Sequence, residues 1–289
     1  MKAAIECMPC VYQQALSAAR HATRDVKMHE KILRRVARLY QNRRLAGTPA
    51  GYSQDVYALV ANMTGVADPY RKEKRASNTM ALAMVPDCYA SLKASRDTLA
   101  TGAHLAVAGN IIDLGIGHGF DIHTTLRTAV DTPFVINDIE ELRAKLAQAR
   151  RVLYLGDNAG EIVFDRLFIE VIRELYPHAD VTFTVKSGPV INDATMADAR
   201  QTGMTRVCTV METGGADIGA PLKRVSREFL KAFRAADVII AKGHGNYETL
   251  SDVPARPLVF ILKTKCPVVA RSLGVPLGSS VLKAAAKIR

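Results

Sequence analysis

The run RRVLYLGDNAGEIVFDRLFIEVI, residues 150–172, constrains this chain more than any other segment, because an apolar stretch passes through a short polar turn into a helical pattern. Val152 to Leu155 are continuously apolar, as in a strand covered on both faces. Ile162, Phe164, Leu167, Phe168, Val171 and Ile172 recur near helical spacing. Gly156 to Glu161 must then be the turn between them. In an open α/β sheet the carboxyl ends of the strands border the ligand crevice, and a helix starting there points free N–H groups into it. Asp157, Asn158 and Glu161 fall in that position.

Adjacent Asp and Asn side chains supply hard oxygen donors, one charged and one neutral, which suit Mg²⁺ or Mn²⁺ better than zinc. The competing reading is that Asp157 or Asn158 merely caps the helix, a task both residue types perform well.

After Gly102 apolar runs of strand type alternate with helical stretches: 105–108, 133–136, 152–155, 181–185, 207–210, 238–241 and 258–262. Such alternation predicts a mostly parallel, doubly wound sheet with helices on both faces. Parallel strands bring their polar ends to one edge. Gly109 and Asn110, the segment KSGPVIND ending in Asn192 and Asp193, and KGHGNYE from Lys242 to Glu248 would gather there with Asp157 and Asn158. Asp193 could complete a metal site, and Lys186 or Lys242 could neutralise a phosphoryl group. A hard metal, a cation and glycine-rich turns suit phosphoryl transfer to water. His244 is a weaker candidate, since a lone His in a Gly-rich turn is commonly a surface residue.

Residues 1–100 carry only helical patterns, at 10–23, 28–40, 54–64 and 70–99 with a break at Pro86. We expect a helical bundle, or cap, over 1–100 and the α/β unit over 101–289, with Ser53 starting one of the helices. Lys74 and Asn78, four apart, share a helix face. Cys7 and Cys10 form a C-x-x-C, a spacing used by metals and redox pairs, but no second pair completes a zinc set.

The five cysteines of the 289 residues speak for reduced thiols and a cytoplasmic protein. No apolar run approaches the roughly 20 residues that span a bilayer, and the N-terminus lacks the apolar core of a secretory signal. With 48% hydrophobic residues and a mean hydropathy of +0.03, the chain has the composition of a globular protein. Its net charge of +11 raises a basic nucleic-acid-binding module as an alternative. Against that reading, aromatics are only 6% and no recognisable reading motif interleaves them with the basic runs. A basic field also draws small phosphate esters.

A second enzyme class competes. DLGIGHG at 113–119 matches the glycine turn of S-adenosylmethionine-dependent methyltransferases, with Asp138 placed as a ribose-binding acid. That turn should follow a long apolar strand and open a long helix. Here only Ile111 and Ile112 precede it, and the stretch after it is short.

GDNAGEIVFD, KSGPVIND and AKGHGNYE, with ECMPC, ADPYRKEKRASN and AGNIIDLG, resemble the DUF89 family of metal-dependent damage-control phosphatases in its smaller archaeal and bacterial branch. The match runs in order over nearly the whole chain. The resemblance implies a helical cap followed by a three-layer α/β/α domain. It also implies a phosphatase of sugar phosphates or damaged phosphometabolites that uses a divalent metal, whether Mg, Mn, Co or Ni. Its metal ligands would fall on Asp157, Asn158 and Asp193, with Asp157 and Lys242 catalytic. Gly243, Asn246 and Tyr247 would lie on the phosphate and substrate side with Glu161 and Lys186. The short cap leaves substrate choice open, and we expect Lys74, Asn78 and Asn110 to contact the rest of a small phosphorylated metabolite. The resemblance further implies that 113–119 is not a cofactor loop.

Overall fold

The computed structural model describes residues 1–112, 128, 131–254 and 257–285. Six helices come first: α1 (Cys7–Ala22), α2 (Val26–Tyr40), α3 (Pro49–Thr64), α4 (Arg71–Ala83), α5 (Val85–Ala94) and α6 (Thr98–Ile112). Strands and helices then alternate through β1 (Ile136–Asn137), α7 (Ile139–Gln148), β2 (Arg151–Leu155), α8 (Glu161–Leu175) and β3 (Asp180–Val185). Next come α9 (Met196–Gln201), α10 (Met204–Val207), β4 (Thr209–Glu212), α11 (Arg227–Ala235) and β5 (Val238–Lys242). The described chain ends with α12 (Gly243–Leu250), β6 (Leu258–Lys263), α13 (Pro267–Leu273) and β7 (Ser280–Ala284).

The strands form one sheet in the order β1-β7-β6-β5-β2-β3-β4. All neighbours are parallel except β6 and β7. The chain winds from β2 outward through β3 and β4, then returns to place β5 on the other side of β2. The order therefore reverses between β2 and β5, and a ligand crevice belongs outside their carboxyl ends.

Side chains alternate between the two faces as the strand period requires. Leu153 and Leu155 of β2, with Ile239 and Ala241 of β5, share an apolar cluster with Val11, Ile32, Val36, Val56 and Val60 of α1, α2 and α3. Val152, Tyr154, Val238 and Ile240 point the other way, onto Leu99 and Ala103 of α6 and Phe168 of α8. A third cluster joins α4 and α5 to α6 and α8 through Ala81, Cys88, Leu105 and Phe164. The division expected near residue 100 falls inside α6.

Two local expectations are corrected. Residues 105–108, read as a strand, are the middle of α6, a helix buried between the sheet and its helical neighbours. A short apolar run has no periodicity that separates a strand from a helix apolar all round, and Leu and Ala favour the helix. Ser53 does not start α3; Thr48 caps it, accepting the Gly51 N–H, with Pro49 at its first position. The glycine turn 113–119 lies outside the described residues. Asp138 accepts the Ala284 N–H at 2.8 Å, a hydrogen bond that joins the start of α7 to β7.

Phe168 is fully buried, edge-on to Tyr154 at 6.4 Å, and a Cβ on Gly102 would come within 2.8 Å of its ring. The α6 backbone thus rides directly on this side chain. Phe168→Ala should lower stability by about 3–5 kcal/mol in urea denaturation, and a loss well below that range would show that α6 closes over the gap.

Candidate active site

β2 delivers Gly156 and Asp157 to the crevice, and α8 starts only at Glu161. Its N-cap is Gly160, at φ +79°, so neither Asp157 nor Asn158 performs the capping task. Asn78 of α4, fully buried, accepts the Gly160 N–H at 2.7 Å and donates to Asp198 and Gln201. The turn is also laced to the loop after β3: Ala159 donates to the Asn192 carbonyl at 2.9 Å, and Ala194 to the Asp157 carbonyl at 2.8 Å. Asn158 and Asp193 thereby face each other across a β-bridge. Asp193 is no cap either, since Thr195 and Asp198 form the capping box of α9.

The Asn158 Nδ2 donates to Asp157 Oδ2 at 3.0 Å and to Glu161 Oε2 at 3.4 Å. With carboxylates on its nitrogen side, the amide oxygen is the atom it can offer a cation. Burial raises the Asp157 carboxyl well above its usual range, reinforced by Asp193 and Glu161. Asp193 is pushed up to about 6 by burial, against the pull of Lys186, whose Nζ lies 3.5 Å from it and donates to the Gly219 carbonyl. Like charges this close and this dry favour protonation unless a cation joins them.

Lys242 corrects the expectation placed on it. It is fully buried, and its three protons go to Glu161 Oε1 at 2.5 Å, Asp165 Oδ1 at 2.6 Å and the Ala106 carbonyl at 2.8 Å. Burial alone would lower its pKa, but the two carboxylates outweigh that and raise it. An ammonium with every proton committed holds Glu161 in place and has none left for a phosphoryl group. Asn246 likewise donates to the Gly156 and Lys242 carbonyls, and Tyr247 packs on Phe260 and hydrogen-bonds Ser272. Both belong to the scaffold. Gly243, at φ +73°, lies so close to Asp157 that a Cβ would stand 1.9 Å from its Oδ2. Its part is to leave room for that carboxylate.

A cavity of about 300 Å³ is lined by Asp157, Asn158 and Asp193 together with Cys7, Cys10 and Glu248. A second space of about 560 Å³ adjoins it at Gln14, Ile191 and Asn192 and reaches Lys74, which pairs with Asp68 at 2.9 Å. Asn78 enters neither, being enclosed by Gly160, Asp198 and Gln201. The Asn110 side chain is outside the described structure. Sequence reasoning missed Gln14, Cys266 and Glu248 on the first wall. Only Glu248 carried a signal, as the last residue of KGHGNYE.

The donor set fits a hard divalent cation: two carboxylates in mutual repulsion and an amide oxygen, Asn158 and Asp193 buried and Asp157 half-buried, without sulfur or imidazole. Among the described residues no three His, Cys, Asp or Glu side chains form a metal cage. A set of two Asp and one Asn leaves several coordination positions to water or substrate.

The model of the damage-control phosphatase ARMT1-like domain matches residues 3–281. The chain belongs to this family. It is 36% identical over 283 residues to a damage-control phosphatase of Pyrococcus horikoshii, covering 97% of both chains. It is 32% identical over 292 residues to one of Archaeoglobus fulgidus, covering 98% of this chain and 99% of the other. The crystal structure of a DUF89 family protein from Pyrococcus horikoshii superposes with a TM-score of 0.92 at 35% identity, covering 99% of this chain and 100% of that one. The fold and family implied by the sequence motifs are thus the ones found, and the methyltransferase alternative finds no support.

For a member of the damage-control phosphatase family, the contact between Gly243 and Asp157 is a sensitive point. Gly243→Ala introduces both a strained φ and a clash with the carboxylate. We expect it to abolish divalent-cation binding, read by calorimetry, while the far-ultraviolet circular dichroism spectrum stays native. Unchanged cation affinity would show that Asp157 is not a ligand.

Proposed function

We propose that this chain hydrolyses small phosphomonoesters with a hard divalent cation held by Asp157, Asn158 and Asp193. The observation that carries the reading is the convergence of these donors, at the point where strand order reverses, on the wall of a cavity. At about 300 Å³ the cavity is at the small end for ligand pockets and suits a small ester. The relatives' name, damage-control phosphatase, supports phosphorylated metabolites as substrates.

When bound, such a cation polarises the phosphoryl oxygens and lowers the pKa of water. The chain's own residues supply the rest. The Lys242–Glu161 pair orients Asn158, and the bridge to Asp193 fixes the spacing of the two carboxylates. Lys186, beside Asp193, offsets negative charge at that end. Lys74, at the edge of the second space, is placed to meet the organic part of the ester. No helix among the described residues is long and apolar enough to cross a membrane, and the five cysteines are free thiols, in keeping with work in the cytoplasm.

Assay of the chelated protein on an aryl phosphate with Mg²⁺, Mn²⁺, Co²⁺ or Ni²⁺ tests this directly. Turnover should require added metal and vanish in Asp193→Asn, whose melting temperature in chelator should not fall. Chelator-insensitive turnover, or none with any metal, would sink the proposal.

Cation should also stabilise the fold, by about 2.7 kcal/mol at a concentration 100 times its Kd. The melting temperature of the wild type should rise on adding Mn²⁺ and that of Asp193→Asn should not; equal shifts would place the cation elsewhere.

A further inference from the structure

Hydrolysis of a phosphate ester needs a proton for the departing oxygen, and the donors at Asp157 and Asp193 are committed to negative charge. The lining of the same cavity holds another carboxyl. Glu248, on α12, is only 9% exposed and faces the space shared with Asp157 and Asn158. The Ala50 N–H, in the first turn of α3, hydrogen-bonds to it. Resting on the phosphatase reading, we propose that Glu248 is the general acid that protonates the leaving group.

In this step the water oxygen forms a bond to phosphorus and the ester P–O bond breaks, its electron pair passing to the leaving oxygen. That oxygen takes the Glu248 proton and departs as the alcohol. The proton released by the attacking water returns to the carboxylate through solvent, so ester and water give alcohol and hydrogen phosphate.

Four other ionisable groups of the cavity lining are poorly suited. Glu6 is held below the usual carboxylate range by a backbone hydrogen bond and by Arg271, 2.6 Å away. Burial drops His244 to about 4, and its Nε2 is engaged by backbone, with the Lys265 N–H at 3.0 Å and the Lys263 carbonyl at 2.9 Å. Burial raises the Cys7 and Cys10 thiols, which makes them weaker acids still. Burial also pushes Glu248 up to about 7, against the Ala50 N–H and the Met1 ammonium, which suits proton transfer near neutral pH. The charged and titratable groups near it include the Met1 ammonium, itself paired with Asp252 at 3.1 Å, Cys7 and Cys10 on α1, Cys266 before α13, and Glu6, His244 and Lys265 on the same cavity.

The test compares two esters on the metal-loaded protein. p-Nitrophenyl phosphate releases a phenolate that is stable without a proton; glycerol phosphate releases an alkoxide that is not. Glu248→Gln keeps the shape and an acceptor for Ala50. It should lower kcat on glycerol phosphate about 10²–10⁴-fold and change p-nitrophenyl phosphate little. Glu248→Asp should recover part of the loss. In the wild type, kcat for glycerol phosphate should fall as pH rises through about 7, because the acid must be protonated, and Glu248→Gln should lack that limb. Equal losses on both esters would make Glu248 a support for α3, and unchanged glycerol phosphate turnover would place the acid elsewhere; either overturns the proposal. A wild type inactive on both esters fails at the phosphatase reading itself and takes this inference with it.

Discussion

Everything at the crevice depends on the buried ammonium of Lys242. It comes from the last residue of β5 and holds two carboxylates of α8, Glu161 and Asp165, while Tyr154 of β2 donates a further hydrogen bond to Asp165 at 2.6 Å. The ammonium compensates the charge of the buried acids, and breaking a buried pair of this kind costs about 3–5 kcal/mol. Even so, Asp165 is pushed up to about 6 by burial, and its Oδ2 has no hydrogen-bond partner among the described residues. The cluster ties strand β5, strand β2 and helix α8 together at one point. It thereby fixes the turn that carries Asp157 and Asn158. A lysine at the end of a parallel strand can be a foundation for a site without entering it.

The N-terminal helices reach the same turn from the other side. Asn78 on α4 holds Gly160, and its amide nitrogen meets Asp198, which also closes the capping box of α9. Lys74, one turn earlier, lies 3.8 Å from that carboxylate. On the opposite face α1 brings Cys7, Cys10 and Gln14 to the cavity, and Gln54 of α3 donates to the Ala216 carbonyl in the loop after β4. The helices before the sheet are thus built into the walls, and a change at Asn78 of α4 reaches the turn that carries the donors through its hydrogen bond to Gly160.

The distinction between contact and support explains what could be read in advance. The GDNAGE turn, the parallel sheet and the gathering of strand ends follow from local periodicity and from the geometry of parallel strands. The direction in which a polar residue points does not follow. Lys242, Asn246, Tyr247 and Asn78 all lie in or beside recognisable motifs, yet their hydrogen-bond partners are backbone carbonyls, buried acids and side chains 25 to 136 residues away, except for the Lys242 carbonyl one turn before Asn246. The strand assigned to 105–108 failed for a different reason, because a helix buried on all sides loses the polar stripe that identifies it. Cys266 and Gln14 are set on the wall purely by tertiary packing, and no spacing rule reaches them.

The charge balance of the molecule acquires a meaning from this placement. The net charge of +11 is carried by exposed residues such as Arg34, Arg35 and Arg38 on α2, whereas the crevice is lined by Asp157, Asp193 and Glu248. The surface field favours the approach of an anion, falling off over about 8 Å at physiological salt. The carboxylates inside oppose its final entry, and the burial that raises their pKa values also lengthens the reach of that repulsion. On the proposed reading, a phosphate ester collects near the protein and settles in the crevice once a cation has added positive charge to the donors, whose relative placement the bridge between Asn158 and Asp193 holds.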